Sequence, residues 1–323
     1  MTASLVLAAL LLLASSLLLA VLPGCAHNVG ARSGKLSVVC TIFPQYDWVR
    51  QIAGGISEDI ELTILLKNKI DLHSYEPSVD DFAKISACDL FIYVGGVSDA
   101  WAGDALKEAK NKDMVVINLM QVLGEAAKVE EFKDGMTALD EEDGEEYDEH
   151  VWLSLRNARL FCGAIAEALS ALDSDNAGRY MENCAAYDAR LAALDADYRA
   201  FVDGAAVRTL LFGDRFPFRY LTEDYNLDYY AAFLGCSAET ETGFGTIAFL
   251  ANKMDELHLK HVMVTENADM SIARTIISNS AEKDGDILVL NSLQSVTSVD
   301  AADGETYLSV MGSNLDVLKV ALG

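Results

Sequence analysis

The chain has 323 residues, of which 51% are hydrophobic, so it is long enough to bury a substantial core in one large domain or two medium ones. Its 24 Lys and Arg residues against 50 Asp and Glu give a formal net charge of -26. Such a charge repels nucleic acid and anionic lipid headgroups, which argues against both as partners. It also attracts cations, but acidic surfaces commonly serve solubility, so charge alone does not indicate a metal.

The first 22 residues carry no charged side chain and end in the sequence Leu22-Pro23-Gly24-Cys25. This segment resembles a lipoprotein signal peptide, which implies removal of residues 1–24 and lipidation of the Cys25 sulfur. Residues 25–35 would then form a flexible tether to the cell membrane. Because basic residues are missing before the apolar run, an uncleaved N-terminal membrane helix stays open as the alternative. Both interpretations predict an extracytoplasmic protein.

Short β-branched runs alternate with amphipathic stretches after the tether, which predicts helical crossovers and parallel sheets. Eight strands are expected in two sets of four, at residues 35–42, 60–66, 90–96, 114–119, 208–213, 228–235, 261–266 and 286–293. The predicted fold is therefore α/β, with two similar lobes that each contain a four-stranded, mainly parallel sheet flanked by helices. We expect the ligand in the cleft between the lobes, where strand carboxyl ends meet.

Two further segments organise the predicted fold. Residues 174–203 carry a helical pattern without Pro, about 45 Å long, which predicts one rigid helix joining an N-terminal lobe (36–173) to a C-terminal lobe (204–323). Residues 130–149 are dense in carboxylates, which predicts a mobile acidic loop that leads directly to His150.

The cysteines do not indicate a disulfide framework or a thiolate zinc site, because five remain beside Cys25 and none forms a CxxC pair. Four of them lie within apolar or amphipathic runs, which is typical of small buried hydrophobic residues. Cys236 is the exception, so its role is left open.

Two of the five histidines, His73 and His150, lie at turns that precede helical segments, and each has carboxylates nearby. Ser78 and Asp81 form the expected N-terminal cap of the helix after His73. Singly, such a histidine is more often a structural residue than a ligand. The matching positions instead favour a shared site with oriented imidazoles, which requires the two rings to lie within about a dozen ångströms. His258 and His261 lie at a helix end and a strand start, where a structural role is favoured.

Five motifs in order carry a resemblance to a known family, and they occupy residues 41–55 (TIFPQYDWVRQIAGG), 71–77 (DLHSYEP), 88–96 (CDLFIYVGG), 148–155 (DEHVWLSL) and 307–318 (YLSVMGSNLDVL). The chain resembles the metal-binding lipoproteins of zinc and manganese ABC importers, the zinc/manganese solute-binding proteins of cluster A-I. The resemblance covers residues 35–323.

The resemblance implies that His73 and His150 are the two N-lobe ligands. The family's third ligand falls near Arg215, which cannot bind a cation, so the neighbouring Asp214 is expected as a carboxylate ligand, with a salt bridge to an arginine as the alternative. The fourth ligand, an aspartate in the family, is replaced here by Asn291, a weaker donor. Glu239 is a further candidate, preferred over its neighbour two residues later, which is better placed to cap a helix.

The resemblance implies the solute-binding component of an ABC importer for zinc, with manganese next, working with a permease and its ATPase and with no catalysis of its own. Imidazole and carboxylate donors suit zinc and, nearly as well, manganese or iron. We expect a monomer. Two alternatives remain open, an extracytoplasmic zinc-dependent hydrolase and a surface adhesin of the same fold. No G-x-G-x-x-G or G-x-S-x-G motif supports a nucleotide site or a serine hydrolase.

Overall fold

The structure, a computed structural model, describes residues 34–66, 71–137, 146–237 and 242–323. The predicted signal peptide and Cys25 lie outside these residues, as does Glu239. Residues 35–323 form one compact unit. In the described part of the chain, no helix is both long enough and apolar enough to cross a bilayer.

All eight predicted strands form, and they make two separate four-stranded sheets in which each pairing is parallel. The first sheet has the order β2-β1-β3-β4, with β1 Leu36–Cys40, β2 Ile60–Ile64, β3 Leu90–Tyr93 and β4 Val115–Asn118. The second has the order β6-β5-β7-β8, with β5 Thr209–Phe216, β6 Asp228–Leu234, β7 His261–Val264 and β8 Asp286–Val289. The central strands of both sheets are mostly buried, as expected for parallel strands covered by helices.

Helices connect the strands. Those of the first lobe are α1 Phe43–Ala53, α2 Val79–Ala87, α3 Ala102–Lys107, α4 Leu119–Leu123 and α5 Leu155–Leu172. The long helix α6 runs from Ala177 to Gly204. The second lobe and the C-terminus contribute α7 Arg219–Tyr225, α8 Phe244–Glu256, α9 Ser271–Asn279, α10 Ser298–Ala302 and α11 Tyr307–Leu322.

The long helix α6 spans 28 residues, about 42 Å, without interruption. A short 3-10 turn, Ser174–Asn176, precedes it. It packs against α1 and α5 of the first lobe and against the C-terminal helix α11. The sequence therefore correctly predicted one long helix between two α/β lobes.

The C-terminal helix α11 follows the second lobe in the chain but contacts the first lobe. Its first residue, Tyr307, packs edge-on against Trp48 with ring centroids 5.2 Å apart, and its backbone N–H donates to buried Asp47 over 2.9 Å. The Tyr307 hydroxyl donates to the Trp152 carbonyl over 2.7 Å, and the Trp152 indole donates to the Ser292 carbonyl over 2.8 Å. A single hydrophobic core thus runs through both lobes, with a smaller cluster on the outer side of the second sheet.

Both described ends of the predicted acidic loop are held in place. Residues Val129 and Tyr147 form an antiparallel bridge, which brings the two ends of the segment together. The Glu131 carboxylate accepts from Arg219 over 2.6 Å. The sequence indicated a mobile loop because this segment is rich in carboxylates. The antiparallel bridge and the Arg219–Glu131 ion pair instead hold its described ends.

Candidate metal centre

His73 lies in a 3-10 turn, Leu72–Ser74, between β2 and α2. The turn begins with Asp71, whose side chain accepts the His73 backbone N–H over 3.0 Å. The predicted cap follows, since Ser78 and Asp81 exchange side-chain and backbone hydrogen bonds at the start of α2. The His73 Nδ1 atom lies 2.7 Å from the Ser98 hydroxyl, so this contact orients the ring and leaves Nε2 directed elsewhere.

His150 is fully buried and immediately precedes the 3-10 turn Val151–Leu153. One oxygen of Asp148 accepts the His150 backbone N–H over 2.8 Å and lies 3.0 Å from the ring Nδ1. A carboxylate on the second nitrogen is the usual means of fixing the orientation and tautomer of a ligating imidazole. The sequence indicated this arrangement, because it placed a carboxylate beside each candidate histidine.

The free Nε2 atoms of His73 and His150 face each other at 3.1 Å, and the ring centroids are 5.1 Å apart. Two nitrogens that bind one tetrahedral zinc at about 2.0–2.1 Å would be about 3.3 Å apart. The imidazoles are therefore spaced almost as two ligands of one ion would be. A contact of 3.1 Å between them requires a shared proton, which a metal ion would replace.

The environment drives the pKa values of the two imidazoles in opposite directions. Burial, reinforced by the nearby charge of His150, lowers the pKa of His73 to about 3. Burial also disfavours the charged form of His150, but Asp148 and Glu130 outweigh it and raise the pKa of that ring above its usual value. A proton in this pair is therefore held mainly on His150.

Three more donors lie around the two rings. One ligand atom from each of His73, His150 and Cys236 lies within 4.8 Å of the other two, and the same holds for Glu130, Asp148 and His150. The second oxygen of Asp148 is buried without a hydrogen-bond partner in the described part of the chain. The centre therefore combines two imidazoles with a thiol and carboxylates.

An arginine from the second lobe also reaches the centre. Arg215, at the end of β5, donates to Asp71 over 2.6 Å and to the Ser237 carbonyl over 3.4 Å. Its guanidinium lowers the pKa of Asp71 even though burial raises it. The position that the resemblance associates with a ligand is therefore occupied by a cation that links the two lobes.

The remaining predicted ligands have other partners. Asp214 accepts from both the backbone N–H and the hydroxyl of Thr265, and it does not group with the two imidazoles. Asn291 accepts the Leu293 backbone N–H over 2.7 Å and exchanges hydrogen bonds with Asn314. Glu239 lies outside the described residues. The structure thus brings together His73 and His150, and the other three assignments stay predictions.

Comparisons with known proteins show the family of this chain. A family model described as ZnuA, zinc-uptake complex component A, periplasmic, matches residues 38–321. The chain belongs to this family. The zinc-binding lipoprotein AdcA of Streptococcus pneumoniae is 32% identical over 311 residues, which are 95% of this chain and 60% of AdcA. The high-affinity zinc uptake system protein ZnuA of Bacillus subtilis is 27% identical over 295 residues, covering 91% of this chain and 90% of that protein.

The fold of the ZnuA family is also found in solved structures. The crystal structure of the Zn(II)-bound ZnuA-like domain of S. pneumoniae AdcA has a TM-score of 0.69 and 30% identity, and the match covers 90% of this chain and 99% of that domain. The lipoprotein YcdH of B. subtilis has a TM-score of 0.72 at 27% identity, covering 90% of this chain and all of that one. The chain thus spans about 60% of full-length AdcA and one whole ZnuA-like domain.

Sequence reasoning did not assign Cys236, Glu130 or Ser98 to the centre. Cys236 carried a usable signal, since it alone among the cysteines after Cys25 lay outside the apolar and amphipathic runs. Ser98 and Glu130 carried none, because their proximity to the imidazoles depends on how strand ends and the acidic segment meet in space.

Proposed function

We propose that this protein is the extracytoplasmic solute-binding component of an ABC importer. It captures a divalent transition metal, zinc first and manganese next, at His73 and His150 in the cleft between the lobes. A membrane permease with its ATPase then receives the ion. Lipidated Cys25 holds the protein at the cell membrane. Its own role is binding and delivery, without catalysis.

The observation that carries this proposal is the 3.1 Å separation of the two Nε2 atoms, each ring being oriented through its other nitrogen. Burial and the nearby charge of His150 disfavour a second proton on His73, so the two facing rings can hold only one proton between them. A metal ion removes this conflict, since it binds both neutral nitrogens together.

The relatives and the surface charge support the same function. AdcA is described as a zinc-binding lipoprotein, ZnuA of B. subtilis as a zinc uptake protein, YcdH as a metal-dependent lipoprotein and the family model as periplasmic. The net charge of -26 raises the local concentration of cations near the cleft. These features favour capture of a scarce cation over a catalytic role.

The test is a calorimetric titration of the full-length chain in detergent with zinc, manganese and iron. The variants are His73→Ala, His150→Ala and a control, His258→Asn, at an exposed position with φ of 55° that asparagine tolerates. We expect one zinc per chain, a loss of more than about 100-fold in affinity in the first two variants, and no change in the control. Zinc binding that survives both alanine substitutions would refute the proposal.

A further inference from the structure

Cys236 lies at the carboxyl end of β6, directly after Gly235, and belongs to the second lobe. Its sulfur is 4.0 Å from Nδ1 of His150 and lies within 4.8 Å of a ring nitrogen of each of the two histidines. The other described cysteines, Cys40, Cys88, Cys162 and Cys184, are buried elsewhere in the core and do not group with the imidazoles. Cys236 is therefore the one thiol at the centre within the described ranges.

Backbone hydrogen bonds fix the position of Cys236. Its own N–H donates to the Glu130 carboxylate over 2.9 Å, which fixes the turn after β6. Burial, with the nearby carboxylates of Glu130 and Asp148, raises the pKa of the thiol well above its usual value, and the backbone N–H of Glu149, which donates to the sulfur, opposes this only in part. Gly235 lets this turn come close, since a Cβ there would lie 3.2 Å from the His150 ring.

Asp214 and Asn291, two of the second-lobe oxygen donors predicted from the sequence, have hydrogen-bond partners other than the imidazoles. The Asp214 carboxylate accepts two hydrogen bonds from Thr265, and Arg215, where the family resemblance places a ligand, is paired with Asp71. A metal held by two imidazoles needs further donors to complete a tetrahedral shell. In the described part of the chain, the Cys236 sulfur is the second-lobe ligand atom that groups with both rings.

We propose that Cys236 is the third metal ligand of this centre and makes it selective for zinc and other thiophilic ions over manganese. The inference rests on the proposed function, because it concerns the same ion. A thiolate is a soft donor that suits zinc, whereas manganese prefers carboxylate, carbonyl and water oxygens. Cys236 thus replaces the second-lobe donor that Arg215 cannot supply.

Binding requires a proton balance at the sulfur. The raised pKa means that Cys236 is a thiol in the metal-free protein. When the ion enters, the S–H bond breaks, the sulfur lone pair forms a bond of about 2.3 Å to zinc, and the proton leaves to bulk water. Coordination together with both Nε2 atoms requires the Cys236 side chain to rotate away from its present contact with Nδ1 of His150.

Cobalt(II) tests this assignment, because it replaces zinc in tetrahedral sites and reports its ligands by absorption. A cobalt–thiolate bond gives a charge-transfer band in the near ultraviolet, whereas cobalt held by nitrogen and oxygen alone gives only visible ligand-field bands. We expect the near-ultraviolet band in the full-length chain, its loss in Cys236→Ser, and its retention in the control Cys184→Ala, which removes a buried thiol from α6. The zinc affinity of Cys236→Ser should fall at least about tenfold and its zinc-to-manganese preference by a similar factor.

The outcomes separate this inference from the proposed function. If the unsubstituted protein binds cobalt with ligand-field bands but no charge-transfer band, Cys236 is not a ligand, while loss of binding in His73→Ala still supports the metal centre. If the charge-transfer band persists in Cys236→Ser, Cys236 is likewise not a ligand. Absence of cobalt and zinc binding in the unsubstituted protein refutes both proposals. If Cys236→Ser fails to fold, the charge-transfer band of the unsubstituted protein decides whether a thiolate binds the ion. The spectrum of Cys25→Ala then shows whether Cys25 is the source of that band.

Discussion

Replacing Asp148 by asparagine should weaken zinc binding without removing a ligand. One oxygen of Asp148 accepts the backbone N–H of His150 over 2.8 Å and contacts its Nδ1 at 3.0 Å. An asparagine keeps an oxygen of the same size there but removes the negative charge. The imidazole then becomes a poorer donor and the positive ion loses a nearby anion.

The expected loss in Asp148→Asn is about 10- to 100-fold in zinc affinity, or about 1.4–2.7 kcal/mol. A second readout follows from protonation. Asp148 raises the pKa of His150, so the substitution lowers that pKa and shifts the onset of acid-induced zinc loss to lower pH. A residue that only supported the fold would lower affinity without this shift.

The assay is a zinc competition titration against a chromophoric chelator at several pH values. Asp47→Asn is the matched control, because Asp47 is also fully buried and accepts one backbone N–H and one side-chain donor, but it lies in α1 and contacts the start of α11 instead of an imidazole. We expect its zinc affinity to stay unchanged. An affinity for Asp148→Asn within about threefold of the unsubstituted protein, or an unchanged pH onset, would contradict the reasoning.

Three further results are expected. Once the pH drops below the raised pKa of His150, zinc affinity should fall by a further factor of about ten per pH unit, because the His150 proton adds to the one that the Cys236 thiol releases on binding. His73, with a pKa of about 3, adds no further proton until strongly acid pH, as chelator titration will show. Tyr307→Phe leaves the buried Trp152 carbonyl without its 2.7 Å hydrogen bond, so denaturant unfolding should show a loss of about 1–3 kcal/mol with unchanged zinc affinity. Gly235→Ala places a Cβ 2.7 Å from the Phe216 carbonyl oxygen and 3.2 Å from the His150 ring, so the turn after β6 must shift beside that ring; the titration should show weaker zinc binding, and an unchanged affinity would refute this packing argument.

The sequence alone determined the fold, because its main signals are local. β-branched runs, amphipathic periods and an uninterrupted helical pattern each depend on neighbouring residues, so they predicted eight strands and one long helix between two lobes. His73 and His150 were also accessible, since both lie in short motifs beside carboxylates. The described ends of the acidic segment differed from the expected mobile loop because their order comes from Arg219 and the Val129–Tyr147 bridge, which are distant in sequence.

Only the tertiary structure decided which second-lobe side chains reach the two imidazoles. Arg215 and Asp214 are neighbours in a strand, so their side chains take different directions, one toward Asp71 and the other toward Thr265. Cys236 approaches His150 through the turn after β6, across a separation of 86 residues. Spacing within a motif cannot specify such a contact, because it depends on how two sheets are placed by a long helix and a shared core.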